Sequence, residues 1–443
     1  MARCYCRWRR VLICVCTPCI SLALLFVYSF IMLCMDMNRE STPAGPPPNH
    51  FVAMGTLRNT GFAPLPKSFW ELHGDAIWNR LQLNVDRHFN PILRPDNAAT
   101  GLENGSFYES LLKQSFSKVT NVDSMKETFE QLPQQIQKFV THMQRRDYPT
   151  LIQPEGGCGA GAKNETESPL LLLAIKSTEL NFKNRHAIRQ TWGRAGWVAG
   201  GGYVRRVFLL AKANTEMLPM GMSDFLQMES EHYGDILQWD FSDTFFNLTL
   251  KDVLFWSWFS RSCNRTLFVL KGDDDVFVNT PKLITYLRDQ LEKPQAHETI
   301  KDFMVGDVIV SAKPSRAKES KYFIPESFYK GHYPVYAGGG GVVYSGLLIK
   351  RLHHVSKRVN LFPIDDVYVG MCMVRLNANL VHHPAFLTFD FPKKKKEELC
   401  SYHKILLVHK RSPEQVVKLW ADVEKTQAEC RDVLPRQKGK EKL

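Results

Sequence analysis

Apolar and polar positions along the chain fall into three regimes. Residues 11–35 carry no charge and are rich in Leu, Ile, Val and Phe, with Pro18 the one proline. A bilayer core takes about 20 apolar residues in a helix, so this run is long enough to span with some tilt. Residues 36–66 include Ser41-Thr42-Pro43-Ala44-Gly45-Pro46-Pro47-Pro48, which sustains neither helix nor sheet and reads as a stem. Residues 67–150 are loosely patterned, with helical phasing over 76–87 and 122–143. They read as an accessory segment packed on the domain C-terminal to it.

From Pro169 onward, short apolar runs alternate with helical stretches. Residues 170–175 predict a strand buried on both faces, followed by a helix over 185–192. The pattern continues with a strand over 204–210 and a helix over 223–233, opened by Ser223 as its cap. A strand over 235–239, a helix over 248–262 and a strand over 267–270 complete it. Such alternation implies an α/β fold: a Rossmann-like, mostly parallel sheet with helices on both faces. Ligands then bind beyond the carboxyl ends of the strands. The domain is expected over 151–430, with residues 1–10 and 431–443 as short tails.

Charge changes the picture at two places. The net charge of +12 resides largely in Arg3, Arg7, Arg9 and Arg10 before the apolar run and in the tail after Arg431. No repeating stripe of basic and aromatic residues exists, so nucleic acid is not an expected partner. Arginines ahead of an apolar run place that end in the cytoplasm, making the chain a single-pass type II protein with a lumenal domain. A cleaved signal peptide would give the same address, but the run exceeds the usual apolar length of one. Acceptor sequons at Asn104, Asn164, Asn247 and Asn264 agree with a secretory route. In an oxidising lumen Cys158, Cys263, Cys372, Cys400 and Cys430 are free to pair, though their number is odd.

The candidate chemistry sits at strand ends. Asp273, Asp274 and Asp275 directly follow the 267–270 strand, with Lys271-Gly272 between. In extended backbone Asp273 and Asp275 face one way and Asp274 the other. Two carboxylates on one side suit a hard cation that bridges a diphosphate; a solvated turn capping the next helix is the plainer reading. Asp365-Asp366 lies between apolar residues before a buried helix over 371–376. Burial suits such a carboxyl to take a proton, and a helix N-terminus would favour Asp anyway. The run Gly338-Gly339-Gly340-Gly341 reads either as a flexible turn or as a loop facing a ligand. His409 ends another apolar strand, as a metal ligand or a structural residue.

With these residues in hand, 169–430 resembles the inverting β-1,3-glycosyltransferases of the animal Golgi. The matching motifs are Arg185-His186-Ala187-Ile188-Arg189-Gln190-Thr191-Trp192-Gly193, Asp243-Thr244-Phe245-Phe246-Asn247-Leu248-Thr249-Leu250-Lys251, the acid cluster, Tyr336-Ala337 with its glycines, and Pro363-Ile364-Asp365-Asp366-Val367-Tyr368. The last two forms look like the N-acetylglucosaminyltransferase branch. The segments at 76–80 and 87–93 are similar to enzymes that extend poly-N-acetyllactosamine. The resemblance implies a GT-A-type glycosyltransferase fold, UDP-N-acetylglucosamine (UDP-GlcNAc) as donor and Mn²⁺ as cofactor, with Mg²⁺ the alternative. Acceptors would be glycoprotein or glycolipid glycans ending in galactose, and assembly with itself or other glycosyltransferases is compatible with it. Asp275 becomes the principal metal ligand with His409 its partner, and Asp273 and Asp274 border the nucleotide. Lys176, Arg185 and Arg189 match the donor-binding segment, Gly339, Gly340 and Asp365 the acceptor side, and Asp366 the general base. Cys158 with Cys263, and Cys372 with Cys400, are the disulfide candidates.

Overall fold

The computed structural model describes residues 76–89 and 122–437, except 155, 161–167, 199, 214–220 and 264. The charge-free run and the stem lie outside the described residues, as do Asn104, Asn164 and Asn264. Among the described residues no helix is long and apolar enough to cross a membrane.

Helix α1 (Ile77–Phe89) is followed by α2 (Val122–Glu130) and α3 (Gln134–His142). The helical phasing expected over 122–143 is thus broken in two, with Pro133 at the start of the second helix, where a residue without an N–H costs nothing. Strand β1 (Thr150–Ile152) precedes β2 (Leu171–Lys176), whose Leu171, Leu172, Leu173, Ala174 and Ile175 have no exposed surface. Next come α4 (Phe182–Gln190), the short β3 (Gly196–Val198), β4 (Gly202–Lys212), α5 (Met222–Tyr233) and β5 (Ile236–Ser242). Gly221, in the left-handed conformation, opens α5, and Ser223 sits inside the first turn instead of capping it. Helix α6 (Leu248–Ser262) leads to β6 (Phe268–Asp273) and the two-residue β7 (Phe277–Val278). Asn279 then caps α7 (Thr280–Leu291) by accepting from the Lys282 N–H at 3.3 Å.

After α8 (Ala296–Ile300) and β8 (Met304–Ile309), strand β9 (Tyr336–Ser345) contains the whole glycine run. That corrects the expectation of a turn or loop there. Helices α9 (Gly346–Ser356) and α10 (Asp365–Leu376) follow, then β10 (Val381–His382), β11 (Phe386–Leu387), α11 (Lys393–Lys396), β12 (Leu407–Val408) and α12 (Pro413–Lys425). The main sheet runs β1-β5-β4-β2-β6-β9-β8-β10, with β3 on β4. Its centre, β5-β4-β2-β6, is parallel. The chain moves outward from β2 through β4 to β5, then returns to place β6 on the other side of β2. The topological switch therefore lies between β2 and β6, where Lys176 and Asp273 are register partners. A small sheet, β11-β12-β7, hangs beside this end.

The accessory helices are part of the packing. Trp78 is 1% exposed and its indole donates to the Leu361 carbonyl at 3.0 Å. Asp86 takes a fork from Arg375 of α10 at 2.9 and 2.6 Å, both side chains 1% exposed. Among the described residues two disulfides close the chain: Cys158–Cys263 as expected, and Cys400–Cys430. The second corrects the Cys372–Cys400 pairing, because Cys372 is buried inside α10 as a free thiol. Removing one partner of a buried ion pair strands the other charge in a medium that cannot solvate it. Asp86→Ala is therefore expected to cost about 3–5 kcal/mol in a denaturant melt, and a change within ~0.5 kcal/mol, as at ordinary surface sites, would contradict a structural role for α1.

Candidate active site

The acid turn is assembled from three directions. At the end of β6, Asp273 and Asp275 face out, with 38% and 42% of their side chains exposed. Asp274 turns inward, accepting from Ser177 Oγ at 2.6 Å and Asn181 Nδ2 at 3.0 Å. Burial pushes its carboxyl up to about 6 against those two bonds. The opposed facing matches the strand parity read from the sequence. One Asp274 carboxylate oxygen takes both bonds, tying the acid turn to the loop after β2.

His409 arrives on the small sheet. Antiparallel pairing of Val408 with Phe277 and a bond from the His409 N–H to the Leu387 carbonyl, 3.1 Å, set it beside the turn. Its Nε2 lies 3.2 Å from Asp275, and donor atoms of Asp273, Asp275 and His409 fall within 4.8 Å of one another. Gly340 has φ 84°, and a Cβ there would lie 2.6 Å from His409 Cδ2. Gly339, with φ 86°, would place one 2.3 Å from Thr388 Oγ1. These glycines let β9 pass close under the small sheet, which gives Gly339 and Gly340 a packing role of their own.

Two buried lysines organise the other acids. Lys176 Nζ meets Asp273 at 3.3 Å and forms a short bond to Asp365. Lys271, two residues before Asp273, bonds Asp252 of α6 at 2.8 Å and lies 3.6 and 3.7 Å from Asp365 and Asp366. Although burial opposes charging it, the flanking Asp273 and Asp365 raise the Lys176 ammonium above its ordinary range. The same lysines hold Asp365 well below the usual carboxylate range despite its burial. Asp365 is thus an internal counter-ion, 9% exposed, which corrects its placing on the acceptor side. Asp366 keeps 31% of its side chain open to solvent. Burial, and then the charge of Asp365, push its carboxyl up to about 7. The two acids form the first turn of α10 itself, with Ile364 as the cap. The helix start and the chemistry therefore coincide.

Arg185 and Arg189 do not reach this opening. Arg185 is fully buried, forking onto Glu229 at 2.8 and 2.7 Å. It also donates to Ser177 Oγ at 3.1 Å, to the Glu179 carbonyl at 3.2 Å and to that of Thr178. Arg189 is held by Glu229 at 2.6 Å and by Asp235 at 2.9 and 2.7 Å. Their donors are consumed by protein acids and carbonyls, which corrects the donor-binding expectation. Lys251 performs the same service from α6, donating to the Ser177 carbonyl at 2.7 Å and to Asp243 at 2.8 Å. Two of the motifs thus converge on residues 177–179, the loop that grips Asp274. Sequence reasoning missed Lys271 and Asp252. The parity of Lys271 with Asp273 was the one signal available. In the remaining sequon, Asn247 is half-buried and donates to the Ser242 carbonyl at 2.8 Å. Thr249 is fully buried on the Phe362 carbonyl.

Comparison with known proteins decides the family. The sequence profile described as galactosyltransferase matches residues 183–384. N-acetyllactosaminide beta-1,3-N-acetylglucosaminyltransferase 2 of Homo sapiens is 42% identical over 369 residues, covering 83% of this chain and 89% of the relative. The chain belongs to the galactosyltransferase family. Within that family, UDP-GlcNAc:betaGal beta-1,3-N-acetylglucosaminyltransferase 7 of Rattus norvegicus is 39% identical over 300 residues, covering 66% of this chain and 72% of the relative. The solved apo structure of a bifunctional glycosyltransferase, WbbM, overlaps 59% of this chain and 51% of its own with a TM-score of 0.32 at 11% identity. If Arg185 serves the fold, Arg185→Ala should cost about 3–5 kcal/mol in a denaturant melt, because Glu229 loses a buried partner. Unchanged stability with weaker nucleotide binding would reinstate the donor-contact reading.

Proposed function

We propose that the protein transfers N-acetylglucosamine from UDP-GlcNAc to the 3-hydroxyl of galactose ending an N-acetyllactosamine-type glycan, forming a β-1,3 linkage with inversion. The observation that carries this reading is the division of the acids. Asp273, Asp275 and His409 form one group of possible ligands, while Asp366, outside that group, has a raised proton affinity. The activities named for the two relatives support the same donor and linkage.

Two carboxylate oxygens and an imidazole nitrogen suit a divalent ion of intermediate hardness, so the residues fit Mn²⁺, with Mg²⁺ the alternative. Such an ion would neutralise charge on the departing diphosphate. Asp366 accepts the proton of the acceptor hydroxyl as its oxygen bonds to the anomeric carbon. The bond from that carbon to the UDP oxygen breaks on the opposite face, and its electrons leave with UDP. Lys271 and Lys176 keep Asp365 ionised, so the pair's proton affinity resides on Asp366. Tyr336, whose phenol is raised by burial and by Asp366, and the Phe245–Tyr322 pair at 5.3 Å supply aromatic surface for the sugar on that side. The proposal places this domain in the Golgi lumen behind a signal anchor, supported by the arginine-led apolar run and by disulfides suited to an oxidising compartment.

A donor panel on the full chain with Mn²⁺ and an N-acetyllactosamine acceptor tests the reading. Transfer from UDP-GlcNAc is expected, and transfer from UDP-galactose alone would make the protein a galactosyltransferase instead. Asp366→Asn should lower kcat by at least about 10²–10⁴-fold, the usual worth of a general base, while UDP binding by calorimetry persists. Near-wild-type turnover would remove Asp366 from that role. The pH profile gives an independent check. The base works deprotonated, so kcat/KM should rise with pH through about 7 and level off above it. A profile at constant ionic strength that stayed flat from about pH 5 to about pH 8 would contradict the assignment.

A further inference from the structure

A second cavity lies at the other end of β7 and β12. Those strands are antiparallel, Leu407 opposite Val278 and Val408 opposite Phe277. Asp275 and His409 therefore flank one end, and Asn279 and Leu406, joined by a 3.0 Å bond, the other. The cavity at the Asn279 end has a volume of about 810 Å³, and Asp273, Asp275, His409 and Asp366 are absent from its lining. That size is in the range of small-ligand sites, roughly 300–1,000 Å³.

Its walls are unusual in two respects. Trp192, Trp197 and Trp420 all line it. Trp197, on the short β3, leaves 65% of its surface exposed, a large apolar area for one side chain to show to water. Trp192 is 1% exposed, and neither its indole N–H nor that of Trp420 has a hydrogen-bond partner among the described residues. Both indole nitrogens are enclosed, so these two residues line the cavity with ring carbon and not with their donors. The second respect is charge. Arg194, Lys282, Lys425 and Arg431 share the lining with one acid, Glu424, which Arg194 already meets at 3.6 Å. Lys282 is engaged by the carbonyls of Val433 and Arg431 at 2.6 and 3.3 Å and lies near Asp432, which leaves Lys425 and Arg431 at the exposed rim. The Cys400–Cys430 disulfide and helix α12 fix one wall, so little ordering is needed on binding.

We propose that this cavity is a second binding site for an anionic oligosaccharide. The apolar face of a sugar ring lies on the exposed Trp197, beside Trp420, whose ring already carries the Arg194 guanidinium at 5.7 Å. The oligosaccharide's sulfate or carboxylate meets Lys425 and Arg431.

The test uses the full chain and an N-acetyllactosamine tetrasaccharide whose terminal galactose 3-hydroxyl is capped, so that transfer cannot occur. Three caps are compared by calorimetry and tryptophan fluorescence: sulfate, sialic acid and a neutral methyl ether. Binding of at least one anionic form is expected, and the two anionic arms tell sulfate from carboxylate. The exposed pair Trp197→Ala with Arg431→Gln should weaken it by at least about tenfold, as loss of an aromatic anchor and a charge does. Transfer to a short neutral acceptor should be unchanged in that variant. Equal binding of the neutral and anionic forms, equal affinity in wild type and variant, or no binding at all would each overturn the proposal. Transfer by the wild type is measured separately, so a failure of the proposed reaction is told apart from a failure of this site.

Discussion

Everything at the opening depends on two lysines that cannot leave it. Lys176 and Lys271 are buried at the ends of adjacent parallel strands, and between them they touch Asp252, Asp273, Asp365 and Asp366. An unpaired ammonium in that environment would be costly, so the carboxylates are obligatory partners. Pairing is uneven, however. Asp252 and Asp365 are enclosed and bonded closely, whereas Asp366 sees a lysine only at 3.7 Å and keeps a path to solvent. One acid of the Asp365-Asp366 pair is thereby held ionised and the other left able to exchange a proton near neutrality. The same side chains hold the site together and divide its labour.

The scaffold explains why the acids meet there. A chain that leaves β2 in one direction and returns to its other flank opens a crevice at the carboxyl ends of β2 and β6. The loop after β2 needs support on a surface that also receives a ligand. Arg185 and Lys251 give it from below through the Ser177 and Glu179 backbone and the Ser177 hydroxyl. Ser177 passes that support to Asp274, which fixes the turn so that Asp273 and Asp275 project outward. The small sheet then needs only two residues per strand to bring His409 within 3.2 Å of Asp275, provided β9 offers glycines beneath it.

Much of this was legible in the sequence. The unbroken apolar runs at 170–175 and 267–270 marked the central strands, because strands buried on both faces leave no polar alternation to mistake for anything else, although Leu267 itself lies before β6 and is 43% exposed. Strand parity separated Asp274 from its neighbours. Ion pairing was not legible. Arg185 and Arg189 stand where a phosphate ligand would, and their acids, Glu229 and Asp235, are some forty residues away on elements whose docking no local pattern encodes. The glycine run was misread for a related reason: a strand that must pass under another sheet gives up side chains just as a flexible loop does. The pairing of Cys400 with Cys430 depended on how the C-terminal helix folds back, which spacing alone does not fix.

The central claim is that Asp365 and Asp366, neighbours in one helical turn, have opposite proton affinities because of how the lysines sit. Infrared difference spectroscopy of the protein with isotope-labelled aspartate reads this directly as a pH titration of carboxyl bands. A protonated carboxyl that loses its proton near pH 7, and is missing from Asp366→Asn, is the predicted result. If no aspartate titrated in that region, or if the band survived in Asp366→Asn and vanished in Asp365→Asn, the division of labour described here would be wrong.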